Sequence, residues 1–274
     1  MTVDAHHHVW DLAVRDQDWI PEGSPLRRTF TVADLEPEAR AAGIDRTVLV
    51  QTVTVPQETP EFLELAAARD LIAGVVGWTD LTRPDIADEL ARLRELPGGA
   101  YLKGIRHQVQ GEPDPEWLLR PDVRRGLAAV AAAGLVYDLV VLPHHLPSCA
   151  KAAADLPELT FVLDHLGKPP IASGALTPWS TDLHALAARP NTVAKLSGLV
   201  TEANPAGWTT DALRPYAETA LEAFGPDRLM FGSDWPVCTE RATYGQVIDA
   251  ARRLTSPTEH TQLFETTAAR VYGL

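Results

Sequence analysis

The chain has 274 residues, of which 45% are hydrophobic, and its formal net charge is −13. This length fits one large domain or two small ones and can bury a substantial core. The acidic balance argues against nucleic acid and anionic membranes as partners, since a phosphate-binding surface needs clustered lysines and arginines. No apolar run approaches the roughly 18 residues of a membrane span.

The N-terminus carries neither the basic segment nor the apolar segment of a secretory leader. Cys149 and Cys238 are the two cysteines of the chain, too few for a disulfide framework. We therefore expect a reducing compartment and a cytoplasmic location. The composition is even, with no linker and no internal repeat, which favours a single domain over residues 1–274.

Residues 4–11 read DAHHHVWD, with three consecutive histidines. A purification tag normally has about six or more, whereas TVDAHHHVW alternates like a short strand. Successive side chains of a strand point to opposite faces, so His6 and His8 share one face and His7 points to the other. Such a pair suits a metal or a substrate carbonyl. The alternative is a half-buried strand whose histidines are incidental.

Short β-branched segments alternate with helical segments along the chain. Strands separated by helices predict parallel pairing through crossover helices, and eight strands close a (β/α)8 TIM barrel, an α/β fold. An open doubly wound sheet is the alternative, but no Gly-rich phosphate loop follows the first strand. The strand-like segments are TVDAHHH, RTVLVQT, IAGVVGW, YLKGIRH, LVYDLVV, LTFVLDH, NTVAKLSG and DRLMFGSD.

Helical segments such as VADLEPEARAAG and PDVRRGLAAVAAAG lie between these strands, and several end in Gly, as helix C-termini prefer. We expect residues 11–28 to form a long first loop over the barrel mouth. A helix over about 259–271 is expected to close the C-terminus.

Polar residues end strand segments that are otherwise apolar. In TIM barrels the chemistry lies at the C-terminal ends of the strands. Burying an unpaired charge in a hydrophobic core is energetically costly. We therefore expect these side chains to converge on one active site: His6, His8, Gln51, Trp78, Asp80, Arg106, His107, Tyr137, Asp138, Asp164, His165, Lys195, Ser197 and Asp234.

The segments DAHHHVW, KGIRHQVQ, VYDLVVLPHHLP, FVLDHLGKPP, KLSGLVTE and FGSDWPV resemble the amidohydrolase superfamily, in order and over about residues 3–250. The resemblance extends to the TIM-barrel lactonase branch of amidohydrolase family 2. This branch includes L-fuconolactonases, L-rhamnonolactonases and dicarboxylate lactonases. The resemblance implies a hydrolase that opens a small lactone ring by attack of water on the carbonyl. The segments GIRHQ and KLSGL favour a sugar aldonolactone as substrate.

The chemistry of such a hydrolase gives the ionisable residues roles. An ionised Asp234 can position a water and take its proton. His6, His8 and His165 can donate to the developing oxyanion or hold a Lewis acid that stabilises it. The alternative for Asp234 is a helix-capping role in its turn.

Other residues are candidates for substrate binding. Arg106 and Lys195 can bind a carboxylate, a ring oxygen or the oxyanion, with ordinary ion pairing as the alternative. Pocket-shaping contacts are expected from Gln51, Tyr137, Trp10 and Trp235, although the aromatic residues fit a core role equally well.

Metal-dependent relatives use His-x-His, a strand-five His and the strand-eight Asp, often with a strand-four Lys. Here strand five offers Tyr137 or Asp138, and strand four offers Arg106, a fixed positive charge. His144 and His145 are expected to be loop residues rather than ligands. A zinc site needs three protein ligands and a water, which His6, His8 and Asp234 can supply. We expect either no required cofactor or one weakly bound divalent metal, most readily zinc.

Two other functions fit the same motifs. A metal-dependent decarboxylase of the superfamily needs a tightly held metal, which the missing strand-five His disfavours. A non-catalytic barrel that binds a small acid is disfavoured by the presence of Asp234 and His165. The expected partner is a small-molecule lactone, and a homodimer is compatible with the sequence.

Overall fold

The computed structural model describes residues 1–274 and contains one eight-stranded parallel sheet, in which the strands follow one another in chain order. The sheet closes on itself, because the backbone amide of Asp234 donates to the His6 carbonyl over 2.9 Å and the backbone amide of His8 donates to the Trp235 carbonyl over 2.7 Å. The predicted TIM barrel is thereby confirmed. The strands are β1 (Val3–His7), β2 (Arg46–Val50), β3 (Ile72–Gly77), β4 (Leu102–His107), β5 (Val136–Leu139), β6 (Phe161–Leu163), β7 (Thr192–Leu196) and β8 (Leu229–Phe231).

Helices connect the strands and surround the barrel. None of them combines the length and the apolar character that a bilayer-spanning helix requires. They are α1 (Val32–Ala41), α2 (Glu58–Ala67), α3 (Ile86–Glu95), α4 (Pro121–Ala132), α5 (Leu146–Asp155), α6 (Trp179–Ala187), α7 (Leu199–Glu202), α8 (Thr210–Phe224), α9 (Tyr244–Leu254) and α10 (Thr267–Tyr272).

The C-terminal segment is helical without a break over residues 260–272, close to the helix expected over about 259–271, and residues Gln262–Thr266 within it are π-helical. A 3-10 turn at Pro257–Glu259 precedes this segment. Helix α9 combines weak helix formers such as Tyr, Gly, Val and Ile with strong ones such as Ala, Arg and Leu. Its N-terminus is fixed by a capping box, in which the Thr243 side chain accepts from the Gln246 amide over 3.2 Å.

The core has two parts. The larger part fills the space between the barrel and its helices. The smaller part takes valines, Ala5 and Met230 from every strand except β4, and Ala268 and Tyr272 of α10 pack with it. This apolar plug fills one end of the barrel, and the buried charged side chains Asp138, Asp164 and Lys195 lie beyond it, towards the other end.

The first loop, between β1 and α1, is attached to the barrel by aromatic contacts. Trp235 packs edge-on against Phe30, Phe30 against Trp10, and Trp10 against Trp19, with ring centres 5.2–5.5 Å apart. Trp10 and Phe30 also pair as a backbone bridge. Edge-to-face packing of this kind adds about 0.5–1.5 kcal/mol per pair beyond the buried area. The loop is therefore held over the barrel mouth, as expected for residues 11–28.

Helix α4 packs closely on the loop after β3 at Gly126. A Cβ atom at this position would lie 2.2 Å from the Leu81 carbonyl oxygen, so the backbones would have to separate. Gly245 in α9 is the opposite case, because a Cβ there meets no atom within 4 Å.

Gly126→Ala should lower the free energy of unfolding by about 1–3 kcal/mol, the usual cost of overpacking a close contact. The matched substitution Gly245→Ala should leave stability unchanged or raise it by up to about 1 kcal/mol, since alanine favours helix. Urea unfolding of both variants measures the difference. Equal stability of the two variants would contradict this description of the α4 contact.

Candidate active site

A cavity of about 130 Å³ opens among the C-terminal ends of the strands and the loops that follow them. Its wall is mostly polar. It is lined by His8, Trp19, Thr52, Arg106, Gln108, Gln110, Val140, His165, Lys168, Gly198, Thr201, Glu202, Asp234 and Val237. A larger and more apolar cavity lies between the first loop, α1 and α2. It contains none of the predicted site histidines, so the polar cavity is the candidate active site.

His6 and His8 lie on the same face of β1, with their Nε2 atoms 3.1 Å apart. His7 turns to the other face and contacts Thr47 Oγ1 at 2.9 Å, as the strand alternation predicts. The Nδ1 atom of His8 lies 2.8 Å from the Val50 carbonyl oxygen. Because a carbonyl only accepts, this Nδ1 carries a proton and the Nε2 of the neutral ring keeps a lone pair.

His6 is fully buried and is absent from the cavity wall, so it lies behind His8 and His165 as seen from the cavity. Its ring centre is 4.9 Å from that of His8 and 4.5 Å from that of His165. Burial lowers the pKa of His6 well below its ordinary value. His6 therefore lies behind the cavity as a neutral ring that packs against His8 and His165, the two histidines of the cavity wall.

His165 and Asp234 adopt left-handed backbone conformations, with φ of 53° and 58°. Such conformations are uncommon outside glycine, although His and Asp tolerate them better than most residues, and they cluster at functional sites. The turn at each strand end aims the side chain into the cavity. Gly198 makes room for the His165 ring, since a Cβ there would lie 2.8 Å from its Nδ1. Ser197 Oγ contacts the same Nδ1 at 2.8 Å.

The Asp234 carboxylate is the centre of the cavity floor. Its Oδ1 lies 3.5 Å from His8 Nε2 and 3.8 Å from both His6 Nε2 and His165 Nε2. Burial alone would raise the pKa of Asp234, but the His165, His8 and His6 rings outweigh it and hold the pKa below the usual range. Burial lowers the pKa of His165 to about 4. Near neutral pH the cavity thus holds an ionised carboxylate beside a neutral His165.

A buried network of charges lies beneath the cavity. Arg106 Nη1 donates to Asp164 Oδ2 over 2.9 Å, and Lys195 Nζ lies 2.9 Å from Asp164 Oδ1 and 2.6 Å from Asp138 Oδ2. Arg106 also donates to the Gln51 side chain over 2.9 Å. Two cations and two carboxylates therefore neutralise one another. The positive charge of Arg106 is balanced by Asp164 and opposes a bound cation less than the sequence alone suggests.

Of the predicted site residues, the structure brings Asp234, His165, His8 and Arg106 to the cavity wall, with His6 behind them. It does not bring the other predicted substrate contacts there. Lys195, Gln51 and Tyr137 are fully buried. Lys195 lies beneath His6, the Gln51 side chain is occupied by Arg106, and Tyr137 faces the core between the barrel and its helices. Trp10 and Trp235 pack with Phe30 instead. These positions favour supporting roles for all of them. His145 bonds to the Leu142 amide in its loop, away from the cavity wall.

Several lining residues were missed by reading only the strand ends. Gln108, Gln110, Lys168, Thr201 and Glu202 follow β4, β6 and β7 by a few residues. They belong to the segments KGIRHQVQ, FVLDHLGKPP and KLSGLVTE, so extending each motif into its loop would have found them. Trp19 comes from the first loop, where no local sequence pattern marks it.

His6, His8 and Asp234 have the geometry of a metal-binding group. Their three ligand atoms are separated by 3.1, 3.5 and 3.8 Å. A tetrahedral zinc with bonds of about 2.0–2.2 Å spaces its ligand atoms about 3.3–3.6 Å apart, so the three positions fit such an ion. The Val50 carbonyl behind His8 and the Asp164 carboxylate, 3.2 Å from His6 Nδ1, are the supporting partners that ligand histidines normally have.

The amidohydrolase family model matches residues 3–274. The chain belongs to the amidohydrolase family. This amidohydrolase is 39% identical to an L-fucono-1,5-lactonase of Burkholderia ambifaria over 89% of the chain and 83% of the relative. It is also 39% identical to an L-fucono-1,5-lactonase of Burkholderia multivorans over 100% of the chain and 96% of the relative.

A crystal structure of an amidohydrolase from Burkholderia multivorans with bound zinc superposes with a TM-score of 0.93. The two proteins are 39% identical, and the match covers 100% of this chain and 99% of the other. Together the family model and these relatives place this amidohydrolase in the lactonase branch, as its sequence motifs predict.

Asp164→Asn should lower the free energy of unfolding by about 3–5 kcal/mol, because it leaves buried Arg106 and Lys195 without a shared counter-charge. Asp155→Asn is the matched control, since this half-exposed carboxylate pairs with Arg124 and Lys151 on the surface. Asp155→Asn should lower the free energy of unfolding by less than about 1 kcal/mol. Chemical denaturation measures both. A cost below 1 kcal/mol for Asp164→Asn would show that the network is not a stability element.

Proposed function

We propose that this amidohydrolase hydrolyses a sugar 1,5-lactone, with L-fucono-1,5-lactone as the first candidate. The observation that carries the proposal is the Asp234 carboxylate, which faces His8, His165 and Arg106 in one polar cavity. Its full-length relatives of 39% identity are L-fucono-1,5-lactonases. The outer cavity wall supports a hydroxylated substrate, since Gln108, Lys168 and Glu202 supply both donors and acceptors.

In the proposed reaction Asp234 accepts a hydrogen bond from a water molecule and takes its proton as the oxygen attacks the lactone carbonyl. The carbonyl electrons move onto its oxygen and form a tetrahedral oxyanion. Arg106 and His165 are placed to donate to that oxyanion. When the oxyanion collapses, the bond to the ring oxygen breaks, and the proton held by Asp234 is delivered to this oxygen. The product is a hydroxy acid, and the Asp234 carboxylate is regenerated.

The low pKa of Asp234 makes it a weak base, so it cannot generate hydroxide by itself. The rate must then depend on how strongly the carbonyl is polarised. Arg106 is a permanent cation that is 4% exposed and sits on the cavity wall, where charge–charge interactions are stronger than in water. In this mechanism most of the acceleration comes from oxyanion stabilisation and a smaller part from the base.

His6, His8 and Asp234 can also hold one divalent cation, most readily zinc. A bound cation would polarise the carbonyl or activate the water. We propose weak binding, because Arg106 Nη1 lies 3.4 Å from His6 Nε2 and β5 contributes no ligand. Of the two β5 candidates, Asp138 is buried inside the barrel against Lys195, and Tyr137 packs against Phe161 in the core between the barrel and its helices.

Asp234→Asn should abolish most turnover while preserving the fold, because Asn keeps the volume and also tolerates the left-handed backbone but takes no proton. We expect kcat to fall on the order of 10²–10⁴-fold. The measurement is hydrolysis of L-fucono-1,5-lactone and a panel of rhamnonate, galactonate and arabinonate lactones. Near-native activity of the variant would show that Asp234 is not the general base. A wild-type protein that hydrolyses no lactone of the panel would contradict the proposed substrate class.

Exhaustive chelation should reduce hydrolysis only partly, because Arg106 and His165 remain in place without a metal. Titration calorimetry of the chelated protein should then show one zinc site in the wild type and none in His8→Ala. His184→Ala is the control, because this exposed histidine bonds to Ser180 on α6. Complete loss of hydrolysis on chelation, with recovery on adding zinc, would show that the metal is required.

A further inference from the structure

Two charged side chains of the cavity wall have no partner in the protein. Lys168 follows β6 and Glu202 ends α7, and both line the candidate active site. Neither side chain makes a hydrogen bond or an ion pair with the other or with any other residue, whereas Arg106 in the same wall is paired with Asp164. Both are half-buried. Because charges that lose part of their water normally acquire a partner, these two are available to a ligand that enters the cavity.

The backbone at Lys168 is strained in a way that places its side chain at the cavity. His165, Leu166 and Lys168 all have positive φ, of 53°, 52° and 55°. This left-handed conformation is unfavourable for residues other than glycine and persists only where the surrounding structure enforces it. The amide of Lys168 donates to the His165 carbonyl over 2.9 Å and closes the turn. One strained turn therefore brings both His165 and Lys168 to the cavity wall.

The core holds this turn on the side away from the cavity. Leu166 is fully buried, and its carbonyl accepts from Trp179 Nε1 over 2.8 Å. A Cβ atom at Gly167 would lie 2.9 Å from Leu146 Cδ2, so the turn packs closely on α5. The position of Lys168 is thus fixed by its backbone, and its ammonium group takes no part in holding the turn.

The cavity wall has further hydrogen-bonding capacity that the protein leaves unfilled. Gln110 Oε1 and Thr201 Oγ1 are buried without a partner, and Thr201 precedes Glu202 in α7. Burial raises the pKa of Glu202, whereas the positive charge of Lys168 lowers it, so the two charged side chains lie close enough to interact. Buried polar groups of native proteins are usually paired. Unfilled donors and acceptors in one cavity therefore indicate a ligand with several hydroxyl groups.

We propose that Lys168 and Glu202 form a hydroxyl clamp, in which Lys168 donates to one ring hydroxyl of a neutral lactone and Glu202 accepts from another. An ammonium group only donates and a carboxylate only accepts, whereas a hydroxyl does both, so the pair suits a polyhydroxylated ring. A ring without these hydroxyls would leave both charges unpaired, and the clamp would reject it. The inference rests on the proposed lactonase function and specifies its substrate class.

Two substrates test the hydroxyl clamp: the aldonolactone of the panel that reacts fastest, and δ-valerolactone, a lactone ring without hydroxyl groups. Lys168→Met and Glu202→Met nearly keep the length of each side chain and remove its hydrogen bonds. We expect each variant to lower kcat/KM about 10–100-fold more for the aldonolactone than for δ-valerolactone, the usual effect of losing a hydrogen bond to a charged group. Glu202→Gln, which keeps one acceptor oxygen, should lie between Glu202→Met and the wild type.

Lys151→Met and Glu222→Met are the matched controls, since they remove the same charges from exposed positions on α5 and α8. Both should keep the wild-type ratio of kcat/KM between the two substrates. Equal losses on both substrates in the two clamp variants would overturn the proposal. A ratio that falls as far in the controls would do the same, because the effect would then come from net charge alone.

The second readout needs no turnover. L-fucose has a hydroxylated ring and no lactone carbonyl, so its binding tests the clamp separately from hydrolysis. In samples of matched metal content, titration calorimetry should show L-fucose binding to the wild type and both controls, and at least about tenfold weaker binding to Lys168→Met and Glu202→Met.

Equal affinity in the wild type and both clamp variants, or no binding of L-fucose by the wild type, would contradict the hydroxyl clamp. If the wild type binds L-fucose through the clamp but hydrolyses no lactone of the panel, the proposed function fails and the clamp stands.

Discussion

The carboxylate of Asp164 is the constraint on which the site depends. It faces Arg106, Lys195 and His6 at once, and all four side chains are at most 4% exposed. Two buried cations this close would separate without a shared counter-charge, because an unpaired buried charge costs several kcal/mol. Burial tends to raise the pKa of Asp164, but Lys195, His6 and Arg106 together keep the pKa well below its ordinary value. Asp164 thus remains ionised and holds the floor of the cavity together.

Closure of the barrel determines the positions of His8 and Asp234 above this network. The backbone bonds between the His6 carbonyl and Asp234, and between His8 and Trp235, join the first strand to the segment after the last. Residues more than 200 positions apart in sequence thereby meet within hydrogen-bonding distance. The left-handed turns at His165 and Asp234 then bend both chains towards the same point. Such strained positions persist only when the surrounding structure determines them, and here the closed sheet does so.

The fold was predictable from the sequence because its signals are local and repeated. The strand segments are short, most are rich in β-branched residues, and most carry a polar residue at or near their end. The alternation of His6 and His8 correctly gives their shared face. The same alternation places Lys195 and Asp138 inside the barrel, but it carries no information about depth. Whether an inward side chain reaches the cavity or lies beneath it depends on how far along its strand it sits relative to its neighbours. For this reason Lys195 was expected at the cavity wall and lies under His6 instead.

Other parts of the site depend on tertiary packing alone. Trp19 lines the cavity because the edge-to-face series from Trp235 through Phe30 and Trp10 carries the first loop across the mouth. The sequence of residues 11–28 contains no periodic pattern that predicts the position of Trp19 at the cavity. The contact of Tyr272 with Asp138 likewise joins α10 to β5 across the barrel interior, between residues 134 positions apart.

The internal neutralisation of Arg106 has a consequence for the end of the catalytic cycle. In the proposed reaction an uncharged ring becomes an anion inside the cavity. A free arginine there would retain that anion as a tight inhibitor, but Arg106 already shares its charge with Asp164. The product carboxylate instead faces the ionised Asp234, inside a protein with a net charge of −13. Electrostatic repulsion from Asp234 therefore opposes the attraction of the other cation of the cavity wall, Lys168, for the product.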